Sequence, residues 1–213
     1  MNRSPGSVDT VSALANLLRQ RNELDEAISQ YTRAIDMAGD NENARHWVLY
    51  YARGLAFDQN EEWGRAEADF LKALALSPNQ PDVLNYLGYS WVERGENMDR
   101  AHAMLEEAVV QRPNDGYIVD SLGWSHYRRG DLEQATEYLE RAVLLRPENP
   151  TINEHLGDVY WMNGRRIEAR FQWTHALSLG VDADQDRILR RKIADGLIDG
   201  NGIGAAFNDR DGG

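Results

Sequence analysis

The pair Leu-Gly occurs three times at nearly fixed intervals, as Leu87-Gly88, Leu122-Gly123 and Leu156-Gly157, 35 and then 34 residues apart. That period belongs to stacked helix–turn–helix units, none of which can bury its apolar face alone. Seven residues after each first glycine stands another, Gly95, Gly130 or Gly164. Two alanines seven apart follow in each unit: Ala101 and Ala108, Ala135 and Ala142, Ala169 and Ala176. Pro113 and Pro147 close two units, and the last has Val181 after Gly180 in that place. Upstream, Gly54, Ala66, Phe70, Ala73 and Pro78 mark another unit. Ala27, Tyr31 and Ala34 mark the second half of a first one, with Ala15 at the glycine position. The 39-residue step from Ala27 to Ala66 places an insertion of about five residues near 37–46.

Each recurring position has a physical reason. Gly88, Gly123 and Gly157 fall where the two helices of one unit cross closely, so a larger residue would overpack the contact at about 1–3 kcal/mol. The alanines serve the same contact from the second helix. Gly95, Gly130 and Gly164 fall where the first helix ends in a left-handed residue. Asp131 and Gln134 form a capping-box pattern for the helix that follows. Pro113 and Pro147 end the second helix because proline lacks the amide donor. Leu132, Ala135, Leu139 and Ala142 keep helical spacing between these marks, and every segment reads as helix.

These residues are those of the tetratricopeptide repeat, and the chain resembles that family from about residue 8 to 181. The resemblance implies an all-α, right-handed superhelical solenoid of antiparallel helix pairs. It divides into about five repeats: 8–46, 47–80, 81–115, 116–149 and 150–181. Within 182–199, the string DQDRILRRKIADGLI carries Ile188, Leu189, Ile193 and Leu197 as the apolar face of a capping helix over the last repeat. Residues 1–7 and 200–213 read as a flexible N-terminus and a flexible tail.

The resemblance also implies a concave groove lined by the first helix of each repeat. Its positions hold Tyr51, Leu55, Asp82, Asn85, Tyr89, Val92, Tyr117, Asp120, Trp124, Tyr127, Glu154, Asp158 and Trp161. That surface is aromatic and acidic, suited to a neutral or basic protein or peptide segment. Exposure in the groove is expected of Tyr89, Trp124, Tyr127 and Trp161, and burial between helices of Trp91, His126 and Tyr160. One subgroup of the family grips a carboxylate tail with basic residues. The corresponding places here hold Tyr51, Leu55, Tyr86, Tyr117 and Ser121, then Asn85, Tyr89, Ser121, Thr151 and His155, so that clamp is missing.

Composition narrows the chemistry. The chain has no cysteine, and its formal charge of −12 opposes nucleic acid and anionic membranes. No run approaches the roughly 18–20 apolar residues of a membrane span, and MNRSPGSVDT at the start has no signal-peptide core. No nucleophile elbow, P-loop, metalloprotease or dinucleotide motif is present, so the reading is of a non-enzyme without cofactor or metal. The nearest approach to a metal site, Glu154 and His155 with Asp158, reads as a solvated groove face. RRK at 190–192, among Asp182, Asp184, Asp186, Asp195 and Asp199, reads as a salt-bridged surface helix.

The last two repeats look like those of bacterial cell-envelope adaptors, some of which bind a periplasmic processing protease. Only Lys72 and Lys192 among 23 basic residues are lysine, which points the same way through a GC-rich genome. A periplasmic setting requires the chain to be a fragment of an exported protein, and otherwise it is cytoplasmic. Three functions follow: a protein-binding adaptor, a self-assembling scaffold that makes homo-oligomers, or a regulatory piece of a larger protein.

Overall fold

The computed structural model describes residues 6–39 and 43–197. Of the segments 1–7 and 200–213 read as flexible, residues 1–5 and 200–213 lie outside the described chain, whereas Gly6 and Ser7 lie within it. Eleven α-helices occupy the described chain: α1 (Val8–Gln20), α2 (Leu24–Ala38), α3 (Trp47–Gln59), α4 (Trp63–Leu76), α5 (Pro81–Arg94), α6 (Met98–Gln111), α7 (Gly116–Arg128), α8 (Leu132–Leu145), α9 (Pro150–Met162), α10 (Arg166–Ser178) and α11 (Ala183–Asp195). They make five helix pairs and a final single helix, with no strand among the described residues. Two compact units divide at Leu87/Gly88, within α5.

In the first unit α1 packs on α2 and α3 on α4. Ser7 caps α1 by accepting from the Thr10 amide at 3.2 Å. Tyr31 is fully buried and donates its hydroxyl to Asn16 at 2.6 Å. Between α2 and α3 lie residues 39–46, longer than the four-residue links 112–115 and 146–149, so the extra residues fall at the expected insertion. A short 3-10 turn, Ala44–His46, leads into α3, and residues 40–42 are outside the description. Arg53 crosses from α3 to Asp69 of α4 in a two-pronged pair at 2.7 and 2.8 Å, with Thr32 of α2 accepting a third bond.

The second unit stacks α7 on α8 and α9 on α10, and α11 packs on α10. Its apolar cluster joins Tyr127, Leu139, Leu156, Val159, Trp173 and Leu189, so α11 seals the last pair. Asn149 caps α9, with Pro150 in the first turn, and Asp182 caps α11 by accepting from the amides of Asp184 and Gln185. Asp131 accepts from the Gln134 amide at 3.2 Å, as the sequence pattern predicts.

The helix-crossing glycines take the role expected of them. A Cβ on Gly54 would lie 2.6 Å from the Phe70 ring, on Gly88 3.0 Å from Leu105 Cγ, on Gly123 2.8 Å from Leu139 Cγ, and on Gly157 2.4 Å from Trp173 Nε1. The turn between the two helices of a pair is left-handed in every pair. Gly95, Gly130 and Gly164 hold it at φ 69°, 83° and 76°, while Asn22 and Glu61 hold the same place at φ 62° and 60°. These last two are substitutes that a search for glycine passes over.

Replacing Gly157 by alanine sets helix propensity, which favours the change by up to about 1 kcal/mol, against a collision with a rigid, fully buried indole. The collision should win, with a net loss of about 1–3 kcal/mol in denaturant unfolding. A stabilised Gly157→Ala chain would refute this account of the crossing.

Candidate functional site

The first-helix positions of the second unit, from Tyr89 to Trp161, converge on a run of rings and charges carried by α5, α7, α9 and α11. Trp124 of α7 stacks on His155 of α9, with ring centres 4.0 Å apart and planes 14° apart. It also stacks on Tyr127 at 4.7 Å and donates its indole N–H to Glu93. Tyr89 lies 6.5 Å from the His155 ring. Trp124 is partly buried and Tyr117 is 50% exposed, with Arg146 over the Tyr117 ring at 4.9 Å.

Beneath these rings the acidic positions are already paired. Asp120 is 6% exposed and bonds His155 Nδ1 at 2.9 and 3.1 Å. Glu154 and Asp158 are 8% and 6% exposed. Lys192 reaches back from α11 to donate to Glu154 at 2.6 Å and to both Asp158 oxygens at 2.8 and 2.7 Å. Gln185 of α11 also donates to Glu154, and Trp173 Nε1 donates to Asp158 at 2.9 Å. Asp120 thus takes its imidazole partner from the next pair's first helix, and Glu154 and Asp158 take their ammonium from α11.

Burial sets the electrostatics of this group. It works against a charged His155, but Asp120, with Asp158 and Glu154 behind it, outweighs burial and holds the imidazole above its usual pKa. Burial raises the Asp158 carboxyl, with Lys192 opposing and Glu154 adding to the rise. Burial also opposes the Lys192 ammonium, and the two carboxylates override it and raise the pKa. The Tyr89 hydroxyl is pushed up by burial and then by Glu93, Asp120 and Glu154.

Several expected groove residues therefore stand elsewhere. Tyr127 is 2% exposed in the apolar cluster with Leu139, Leu156 and Trp173, because its side of α7 is covered by α8 and α9. Val92 is fully buried as well. Asp120, Glu154 and Asp158 are internal ion-pair partners instead of an open acidic lining. The Glu154, His155 and Asp158 set is buried and turned to Lys192 and Asp120, so it is no solvated face. Trp161 is partly buried: it packs on Trp173 at 5.4 Å, under the guanidinium of Arg166 at 3.8 Å. Gly196, just past α11, closes against it, and a Cβ there would overlap the ring. Trp91 and Tyr160 are buried as expected, and His126 is partly buried against Tyr138. The tract at 190–192 divides: Arg190 pairs with Asp186 on its own helix, whereas Lys192 turns inward. In the first unit Tyr51 lies in a ring cluster with Trp47, Phe70 and Tyr86, and Leu55 and Asn85 are partly buried. Sequence reasoning missed Lys192 and Glu93; for the first, the available signal was that it is one of only two lysines in an arginine-rich chain.

Family models described as tetratricopeptide repeat and TPR repeat match residues 12–81 and 51–116, and residues 123–164. The chain belongs to the tetratricopeptide repeat family. Human tetratricopeptide repeat protein 13 is 30% identical over 91 residues, 43% of this chain and 10% of its own length. The Lipoprotein NlpI homolog of Haemophilus influenzae is 38% identical over 52 residues, 24% of this chain and 17% of its own. The matches thus span under a fifth of either relative. Among solved structures, Pseudomonas aeruginosa pilF aligns with a TM-score of 0.71 at 22% identity, covering 96% of this chain and 86% of that one. PilW, described as a widely conserved type IV pilus biogenesis factor, aligns with a TM-score of 0.75 at 19% identity, covering 92% and 87%. At these identities the likeness is one of fold. Among the described residues, no helix of this repeat protein is long and apolar enough to cross a membrane.

Two outcomes follow from the buried charges. Lys192→Met leaves two carboxylates facing each other without their cation, and unfolding in denaturant should show a loss of about 3–5 kcal/mol. An unchanged midpoint would mean that the ammonium does not hold α11. His155 has a folded pKa above its unfolded value, so the stability it adds is full below about pH 6.5 and fades as pH rises through the folded pKa. The loss of stability on alkaline titration should be smaller in His155→Asn than in the parent, and equal slopes would refute the assignment.

Proposed function

We propose that the chain is a non-catalytic adaptor that holds a protein or peptide segment against Tyr89, Tyr117 and Trp124. The observation that carries this is the fixing of Trp124: two stacked rings and a bond to Glu93 hold it in place, yet it is only partly buried. A large aromatic side chain positioned before binding loses little entropy on contact, which is what binding hot spots require. The contact surface on this reading is aromatic. The carboxylates below it are paired from within, so charge acts at longer range, where −12 overall draws in a basic segment, leaves a neutral one unopposed and repels an acidic one. The name of the Haemophilus relative, a lipoprotein, and the pilus role named for PilW support a bacterial envelope setting, and the likeness of the last two repeats to envelope adaptors makes presentation of substrates to a protease one task for such a chain.

A panel of acidic, neutral and basic ten-residue peptides tests the reading. Neutral and basic members should bind, and Trp124→Ala should weaken them by about tenfold or more without lowering the melting temperature below the assay range. Binding that ignores Trp124→Ala would move the surface elsewhere.

A scaffold reading has one observation of its own. Ile167 and Phe171 of α10 are 82% and 68% exposed, where the preceding pair carries Glu133 and Glu137. If these residues join copies, light scattering should give a multiple of the chain mass that Phe171→Glu returns to the monomer.

A further inference from the structure

A second group of titratable residues lies in the same unit, where α6 meets α7. The rings of His102 and His126 meet edge to face, with centres 4.6 Å apart and planes at 89°. Their side chains are 15% and 12% exposed. His102 Nδ1 lies 3.0 Å from Ser125 Oγ, and its other nitrogen lies 3.7 Å from Glu106 on its own helix. His126 Nδ1 lies 3.2 Å from Asp131, the cap of α8, and its ring stacks on Tyr138 at 5.3 Å. Ser125 is fully buried, so this is no nucleophile beside its base.

We propose that this contact is an acid-weakened joint: when both rings of the His102–His126 pair take up protons, α7 loosens from α6. Two imidazolium rings at this separation repel, and their burial removes the water that would screen them. The groups facing them are mixed. Glu106 of α6 and Asp131 at the start of α8 each attract one charged ring, while Arg129 at the end of α7 adds a positive charge, itself paired with Asp99 at 2.7 Å. For His102 the balance lies against the proton: burial, and then His126, hold its pKa below the ordinary imidazole value. A depressed folded pKa gives stability that is present above about pH 6.5 and lost as pH falls through the folded value.

The joint also bears on neighbouring contacts of α7. Trp124 and Arg128 reach Glu93, with Arg128 at 3.5 Å, and Arg129 reaches Asp99. A loosened α7 would carry Trp124 away from Glu93. His155 responds in the opposite direction, since its proton stabilises the fold. The unit therefore holds one histidine that favours acid, His155 of α9, and one that resists it, His102 of α6.

The test uses the full chain and no partner, so its outcome is independent of what the surface binds. Hydrogen exchange is followed at pH 7.5 and 5.5 and divided by the intrinsic rate at each pH. Amides of α7 should lose protection by about tenfold in acid while those of α10 do not. His126→Phe keeps a ring against Tyr138 and removes one titrating group, and it should abolish most of the acid effect. Should that variant not fold, His102→Gln serves, because it leaves the His126–Asp131 bond in place. Unchanged protection of α7 in the parent at pH 5.5 overturns the proposal. So does an equal loss in the parent and in the folded variant.

Discussion

The repeat rests on one contact, the approach of a first-helix glycine to a large side chain on its partner helix. Gly54 meets Phe70, Gly123 meets Leu139 and Gly157 meets Trp173 at distances a methyl group could not take without a shift of its neighbour, and Gly88 meets Leu105 in a contact that a methyl group would make tight. The alanines Ala66, Ala101, Ala135 and Ala169 are all fully buried on the same second helices, so each pair is thin in the middle. Thin pairs let the next pair's first helix settle against them, and apolar clusters then run from one repeat into the next. Because the large partner varies from Leu to Phe to Trp, the contact constrains volume and backbone approach more than residue identity.

That explains what could be read from sequence alone. Glycine and alanine at a 34-residue step record backbone proximity directly, so helix number, pairing and the terminal helix were legible from Gly88 to Leu197. The left-handed turns were legible only where glycine marks them. Asn22 and Glu61 adopt the same backbone with a side chain attached, and one residue type cannot reveal a conformation that several can reach at some cost. The site was less legible for a different reason. Position within the repeat tells which helix face a residue occupies, but whether that face is open depends on the neighbouring helix. Tyr127 and Trp124 share a helix and lie three residues apart, yet one is sealed by α8 and α9 and the other remains partly open.

The acidic residues make the same point through electrostatics. Asp120, Glu154 and Asp158 occupy positions at which the family presents side chains to a ligand, and a count of charges reads them as a negative lining. In the folded chain each finds a partner two helices further on, the His155 imidazole in one case and the Lys192 ammonium in the other. A buried charge needs such a partner, since desolvation costs several kcal/mol per ion. The residue left partly open above these pairs is Trp124, stacked on His155.

Lys192 gives the closure of the last helix pair a polar part as well as an apolar one. A solenoid closed by apolar residues alone could in principle be extended by adding any well-packed repeat after α10. Here an added repeat would have to bring an ammonium group to the same point between Glu154 and Asp158 and a residue without a Cβ against Trp161. The C-terminal boundary of the array is thus written as a charge requirement as well as an apolar one, and grafting or shuffling of repeats at that end is limited by a single amine.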